Sequence, residues 1–168
     1  DGTVLTYQDI ENNSLNISGT NNLTLNFAGG DAGINLTRLS GTQTQVTGSS
    51  FTTTNFTSPA DSLTLHFSDT SNYTAAIVDL ADDFDPTAGL SVTAAAGGGN
   101  TELTIDELGG LNGRAVAIDL GGGTDTVVFQ NASLSLGSLS VAAETITATS
   151  SSLSVATTTV LDAGTTGN

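Results

Sequence analysis

The sequence predicts an all-β fold and, within that class, a right-handed parallel β-helix (β-solenoid) with coils of about 24 residues. Three observations carry this reading. Apolar residues make up 37 % of the chain and fall in short runs that alternate with polar ones. The polar remainder is mostly Thr, Ser, Gly and Asn. Thr suits a pleated, half-buried surface, whereas Gly and Asn suit turns that need φ > 0. Lastly, the runs recur at a loose period near 24. An antiparallel β-sandwich is the alternative, because it too yields short alternating strands at roughly 8–12-residue spacing. Against it, no Asn-Gly or Asp-Gly pair joins two good strands: Asp1-Gly2 is terminal and Asn112-Gly113 follows a weak run.

The strands follow in order. Leu15 and Ile17 alternate, as do Leu23, Leu25 and Phe27, then Ile34 and Leu36. Leu63, Leu65 and Phe67 come next, followed by Leu90 and Val92, then Leu103 and Ile105. Val116, Ile118 and Leu120 precede Val127 and Phe129. Leu134, Leu136, Leu139, Val141, Ile146, Leu153, Val155 and Val160 close the series. Helical periodicity is nearly absent. Thr74 to Asp83 has room for one helical turn, but Ile77, Val78 and Leu80 suit a strand equally well. Both prolines, Pro59 and Pro86, fall in gaps.

Laying residues 91–105 over 115–129 gives an ungapped offset of 24 that matches Val92 to Val116, Leu103 to Val127 and Ile105 to Phe129. A further 24 places Leu153 beneath Phe129, and a step of 25 places Val141 beneath Val116. The same step of 25, taken backwards, relates Leu65 to Leu90 and Phe67 to Val92. The Leu-Thr-Leu-x-Phe phrase at 23–27 returns at 63–67, an interval of 40 that a 24-residue period does not explain.

Composition excludes whole classes of chemistry. Two basic side chains stand against seventeen acidic ones, a formal net charge of −15. Such a chain does not neutralise phosphates, so nucleic acid is not an expected partner. No segment approaches the length of about 20 apolar residues that spans a bilayer, so no membrane insertion is expected. Without Cys there are no disulfides and no thiolate sites; without Lys there is no Schiff-base chemistry. The single His, His66, lies between Leu65 and Phe67, which turns it away from the apolar face. No catalytic residue is assigned, and the chain reads as a non-enzyme. Residues 1–168 read as one domain, and Asp1 with no basic-then-apolar leader predicts a mature fragment or a piece of a longer secreted protein.

Two places have metal-ligating character. Asp79, Asp82, Asp83 and Asp85 form the densest acidic cluster, and loop carboxylates at such spacing are able to converge on Ca²⁺. Leu120-Gly-Gly-Gly-Thr-Asp-Thr-Val-Val128 matches the nonapeptide calcium repeat Gly-Gly-x-Gly-x-Asp-x-U-x at Gly121, Gly123, Asp125 and Val127, and departs from it at Leu120. There the glycines would turn backbone carbonyls towards the ion, and Asp125 would supply a hard anionic oxygen. A plain Gly-rich turn explains the same residues. Seven Asn-x-Ser/Thr sequons occur, at Asn12, Asn16, Asn22, Asn35, Asn55, Asn72 and Asn131, and six of them have the apolar or small middle residue that outward–inward alternation produces by itself.

The phrases Ala-Ile-Asp-Leu-Gly-Gly-Gly-Thr-Asp-Thr-Val-Val (117–128) and Leu-Ser-Val-Ala-Ala-Glu-Thr-Ile-Thr-Ala (139–148) resemble large secreted bacterial repeat proteins, the haemagglutinin-like and calcium-repeat adhesins. The likeness is close over the latter half of the chain and one of style over the earlier half. It implies an extracellular, non-enzymatic shaft or adhesive module on the cell surface, often stabilised by calcium. The expected partner is then the chain itself, by end-to-end or strand-addition assembly, or surface glycans. Two other functions compete. Recurrent Thr-x-Thr pairs (42/44, 52/54, 124/126, 145/147, 157/159) would suit a carbohydrate- or ice-binding face if they align outward. A polysaccharide lyase or hydrolase would need Arg114 or a carboxylate pair in a groove.

Overall fold

A computed structural model describes residues 2–7, 15–49, 51–108 and 110–164; Asp1, Asn12 and the rest of 8–14 lie outside it. The regular elements among the described residues are all strands: β1 (Gly2–Tyr7), β2 (Leu15–Ile17), β3 (Asn22–Phe27), β4 (Asp31–Arg38), β5 (Thr44–Thr47), β6 (Thr54–Phe56), β7 (Ser62–Phe67), β8 (Tyr73–Ile77), β9 (Gly89–Ala94), β10 (Thr101–Ile105), β11 (Ala115–Asp119), β12 (Thr126–Gln130), β13 (Ser133–Ala143), β14 (Thr145–Thr149) and β15 (Ser152–Ala163). They build two sheets. The first has the order β1-β3-β7-β9-β11-β13-β15, with every neighbouring pair parallel. The second runs β14-β12-β10-β8-β4-β5-β6-β2 and is mixed, its antiparallel pairing confined to β5 against β4 and β6. The fold is therefore all-β, and its pairing is not that of an antiparallel sandwich.

From β7 onward the chain changes sheet at every strand. Parallel neighbours need a crossover between them, and here the strand in the opposite sheet provides it. Each sheet turns one face inward. In β3 and β7 alternate residues are buried, as the period-2 pattern requires. Parallel registry then stacks like on like. One inner column runs Leu23, Leu63, Leu90, Val116, Leu139, and its neighbour runs Leu25, Leu65, Val92, Ile118, Val141; all are buried. The second sheet answers with Ile77, Ile105 and Phe129 and with Leu103 and Val127. Full burial of one such side chain is worth about 1.5–3 kcal/mol, so the columns dominate the stability.

The sequence interval between paired strands is not constant. Leu23 pairs with Leu63, and Phe27 with Phe67, at an interval of 40, because β4, β5 and β6 are accommodated in between. Later intervals in the first sheet are 27 (Leu63 to Leu90), 26 (Leu90 to Val116) and 23 (Val116 to Leu139). The offset of 24 holds only between β10 and β12, where Leu103 pairs with Val127 and Ile105 with Phe129. Elsewhere the expected partners are displaced. Val92 pairs with Ile118 rather than Val116, Leu65 with Val92 rather than Leu90, and Val141 with Ile118 rather than Val116. Leu153 lies beside Leu134, while Phe129 lies beside Ala148. Most of these slips are of two residues, which leave every side chain on its proper face and are therefore invisible to the alternation. Residues 74–83 hold no helix: β8 ends at Ile77 and a turn follows at Asp82 and Asp83.

Candidate functional site

The acidic segment after β8 is a strap anchored by apolar residues and tied by both basic residues of the chain. Leu80, Ala81 and Phe84 are buried, and Phe84 meets Phe56 edge-on at 6.4 Å between ring centroids. Backbone donors fasten it further. Ala81 N–H donates to Thr44 Oγ1 at 3.0 Å, and Asp85 N–H to Ser58 Oγ at 3.0 Å. With Leu80, Ala81 and Phe84 inside, the carboxylates are left outside. Asp79 Oδ2 lies 2.9 Å from Arg38 Nε, and Arg38 also reaches Asp82. Asp85 accepts from both Nε and Nη2 of Arg114, the latter at 2.9 Å. The hydrogen bond from Arg114, and after it the guanidinium charge, hold the Asp85 carboxyl below its usual value and raise Arg114 in turn. The expected cluster is thus divided between two guanidinium groups, with Asp83 exposed beside it. This pairing also favours the charged form of Arg114, the opposite of what a lyase base requires.

At the second place, Gly121, Gly123 and Asp125 do lie at one corner, before β12. A Cβ on Gly123, whose φ is +138°, would sit 2.7 Å from the Gly99 carbonyl oxygen, so the preceding corner approaches too closely for any side chain. Asp125 is buried at 0 % exposure. Its Oδ1 accepts the Thr101 N–H at 2.7 Å, its own N–H donates to Glu144 Oε2 at 2.7 Å, and Oδ2 has no partner. Burial raises the Asp125 carboxyl to about 6; the Thr101 bond opposes this and Glu144 reinforces it. The side chain is engaged with neighbouring strands. Among the described residues no group of three or more His, Asp or Glu is gathered closely enough to hold a metal ion.

The outer surface is polar and laddered. Asn100 N–H donates to Asn72 Oδ1 at 2.8 Å and Thr124 N–H to Asn100 Oδ1 at 2.9 Å, lining a shallow groove of about 240 Å³ with Thr74, Glu102 and Thr126. Asn16, Asn55 and Gln45 form a similar amide row across β2, β6 and β5. Sequon residues Asn16, Asn55 and Asn72 are thereby part of cross-strand ladders. The Thr pairs do not make one face. Thr44, Thr52 and Thr54 are buried, while Thr126 pairs with Thr145 and Thr147 with Val128 on the outside. His66 is half-buried on the outer face as expected, with Nδ1 2.8 Å from Thr93 Oγ1.

One cluster carried no sequence signal. Asp69 accepts the Tyr73 hydroxyl at 2.6 Å and the N–H groups of Gly29 at 2.5 Å and Ser71 at 3.0 Å. Burial alone would raise this carboxyl, but these bonds outweigh it and hold it at about 2. Asp69 lies as far along the sequence from Gly29 as β7 lies from β3. Only a correct register for that long circuit would have joined them.

Compared with models of protein families, with curated proteins and with solved structures, the chain matches none.

Proposed function

We propose that the chain is a right-handed parallel β-solenoid that serves as a non-enzymatic structural or adhesive module on the outside of the cell, a segment of a surface stalk or filament. One observation supports this most: a sheet of seven parallel strands, five of which, β3, β7, β9, β11 and β13, stack over continuous buried apolar columns. A ladder of that kind is stiff along its stacking direction because each strand is held to the next by a row of backbone hydrogen bonds over a packed apolar interior. The outer faces, built of Thr, Ser, Asn and Asp, meet water, glycans or ions. Strong negative charge keeps an exposed protein soluble, and two Arg engaged with Asp leave few sites for trypsin-like proteases.

Antibody labelling of intact source cells tests the location and role together. The proposal expects labelling before lysis and its loss on proteolytic shaving, with reduced adhesion. Labelling only after lysis contradicts it. Calcium is part of the proposal as a stabiliser. Thermal unfolding by far-UV circular dichroism is expected to shift upward in millimolar Ca²⁺ relative to EDTA. Identical curves would remove calcium and leave a metal-free module.

A further inference from the structure

The shallow groove on the outer face of the second sheet crosses β8, β10 and β12, strands that each have a hydrogen-bonded neighbour on both sides. Two rows of polar side chains line it. Register sets Thr74, Glu102 and Thr126 side by side in one row. The other row is the ladder of Asn72, Asn100 and Thr124, one two-residue step nearer the strand starts. Tyr73 and Thr101, both buried, lie between the rows. With strands about 4.8 Å apart and a rise of about 3.3 Å per residue, the six side chains span roughly 10 by 7 Å, an area that suits one sugar ring or two.

The ladder consumes acceptors and leaves donors. Asn100 N–H occupies Asn72 Oδ1, and Thr124 N–H occupies Asn100 Oδ1. The Nδ2 groups of Asn72 and Asn100, both exposed residues, make no hydrogen bond among the described residues. In the other row Glu102 is exposed and makes no ion pair among the described residues, the chain's two guanidinium groups being held by Asp79, Asp82 and Asp85. A ligand that completes this set accepts from amide N–H groups and donates to a carboxylate at once. A metal ion or a polyamine has nothing to accept with. An anion has little to donate and would approach Glu102 in a chain of net charge −15. The hydroxyl groups of a neutral sugar do both.

From this we infer that the groove binds a neutral saccharide, with Glu102 accepting from two vicinal hydroxyls and Asn72 and Asn100 donating through Nδ2. The inference rests on the reading of the chain as an outward-facing adhesive module, and it names the place and the class of the glycan. The one ring in the lining, Tyr73, is buried, so the sugar has no aromatic face to stack on. Affinity then comes from exposed hydrogen bonds alone, and a single site binds at about millimolar strength.

Amide chemical shifts of the isotope-labelled chain, titrated with mannobiose, maltose and lactose, test this. At least one of the three should move amides at 72–74, 100–102 and 124–126 in a saturable way, and putrescine and digalacturonate should not. Glu102→Gln should weaken that binding about tenfold by removing the charge-assisted bonds. Asn100→Asp keeps the oxygen that accepts Thr124 N–H but loses the amide donor, and should abolish binding. Both variants change exposed positions and should melt like the native chain. Thr147→Ala, on the outer face but outside the groove, should bind as the native chain does. Silence towards all three sugars overturns the inference, as do shifts confined to other amides, equal shifts with putrescine or digalacturonate, or native affinity in both groove variants. The adhesive reading is judged separately, by labelling of intact cells. A chain found on the surface but silent towards sugars rejects the groove and keeps the module, whereas groove binding in a chain found only inside the cell rejects the module.

Discussion

Between Leu23 and Phe67 neighbouring strands of the first sheet are separated by an interval of 40 in sequence and rings fill the interior; between Leu90 and Leu139 the intervals fall to 26 and 23 and the filling is aliphatic. In the first region Phe51, Phe27, Phe67 and Tyr73 form a row, with centroid separations of 5.5, 5.8 and 4.8 Å. Phe56 and Phe84 make a second contact where the antiparallel strands widen the second sheet. In the later region Phe129 is the one buried ring among the described residues, amid Val, Leu and Ile. Corner chains there pass so close that glycine is required, as at Gly123. The contrast teaches that one parallel ladder tolerates circuits of very different length, provided the interior volume is filled to match.

The largest effect is expected in the narrow region. Phe129→Asp places a charge at a site of 1 % exposure, with both guanidinium groups engaged elsewhere, and should abolish cooperative unfolding in a far-UV circular dichroism melt. His66→Ala, on the outer face, should leave the melt nearly unchanged. Equal melting points for these two variants would refute the facing assigned to β7 and β12. In the wide region Phe27→Ala removes the centre of the aromatic row and should cost about 3–5 kcal/mol by chemical denaturation. A cost well below that would mean that rings do not support the long circuit.

Glycine substitutions sharpen the comparison at smaller scale. Gly123→Ala, strained in φ and crowded by Gly99, should cost about 1–3 kcal/mol. Gly19→Ala, with φ +69° and open space around its Cβ, should cost less, about 1 kcal/mol. Equal costs would show that close corner packing is not what selects glycine at 123.

The two regions should also titrate with opposite sign. Asp69 has a folded value of about 2 against an ordinary 3.8, so it stabilises the fold above pH 4 and that contribution is lost as pH falls towards 2. Asp125 is raised from 3.8 to about 6, so its contribution is full below pH 3.8 and disappears as pH rises through 6. Stability profiles of Asp69→Asn and Asp125→Asn should therefore flatten different limbs, acid for the first and near-neutral for the second. The exposed pairs of Arg38 should matter least. Arg38→Ala should change stability by about 0–1 kcal/mol, and by less in high salt.

Strand existence was legible wherever apolar residues alternate, because Leu23-x-Leu25-x-Phe27 and its kin declare their inner face by alternation alone. Register was not. A two-residue slip conserves that face, so Val92 matched Val116 as plausibly as it pairs with Ile118. β5 and β6 went unread because threonine fills inner positions there: Thr44 and Thr54 are buried and satisfied by hydrogen bonds to Ala81 and Thr52. At the candidate sites, the sequence placed the acidic residues together but gave no sign that Arg38, far upstream of Asp79, folds back onto them. The Gly-rich corner was visible, whereas the inward turn of Asp125 towards Thr101 depends on the neighbouring circuit.

The parallel in-register winding can be tested directly because the chain has no cysteine. Ser91 and Ala117 are partners on adjacent outer-facing positions of β9 and β11, at the roughly 4.8 Å strand spacing that a disulfide accommodates. Thr93 is displaced from Ala117 by two residues, roughly 6–7 Å along the strand. The double variant Ser91→Cys with Ala117→Cys should therefore oxidise readily to an intramolecular disulfide while retaining its melting transition, and Thr93→Cys with Ala117→Cys should not. The reverse pattern, with 93 and 117 joined and 91 and 117 free, would restore a uniform 24-residue winding and contradict the register described above.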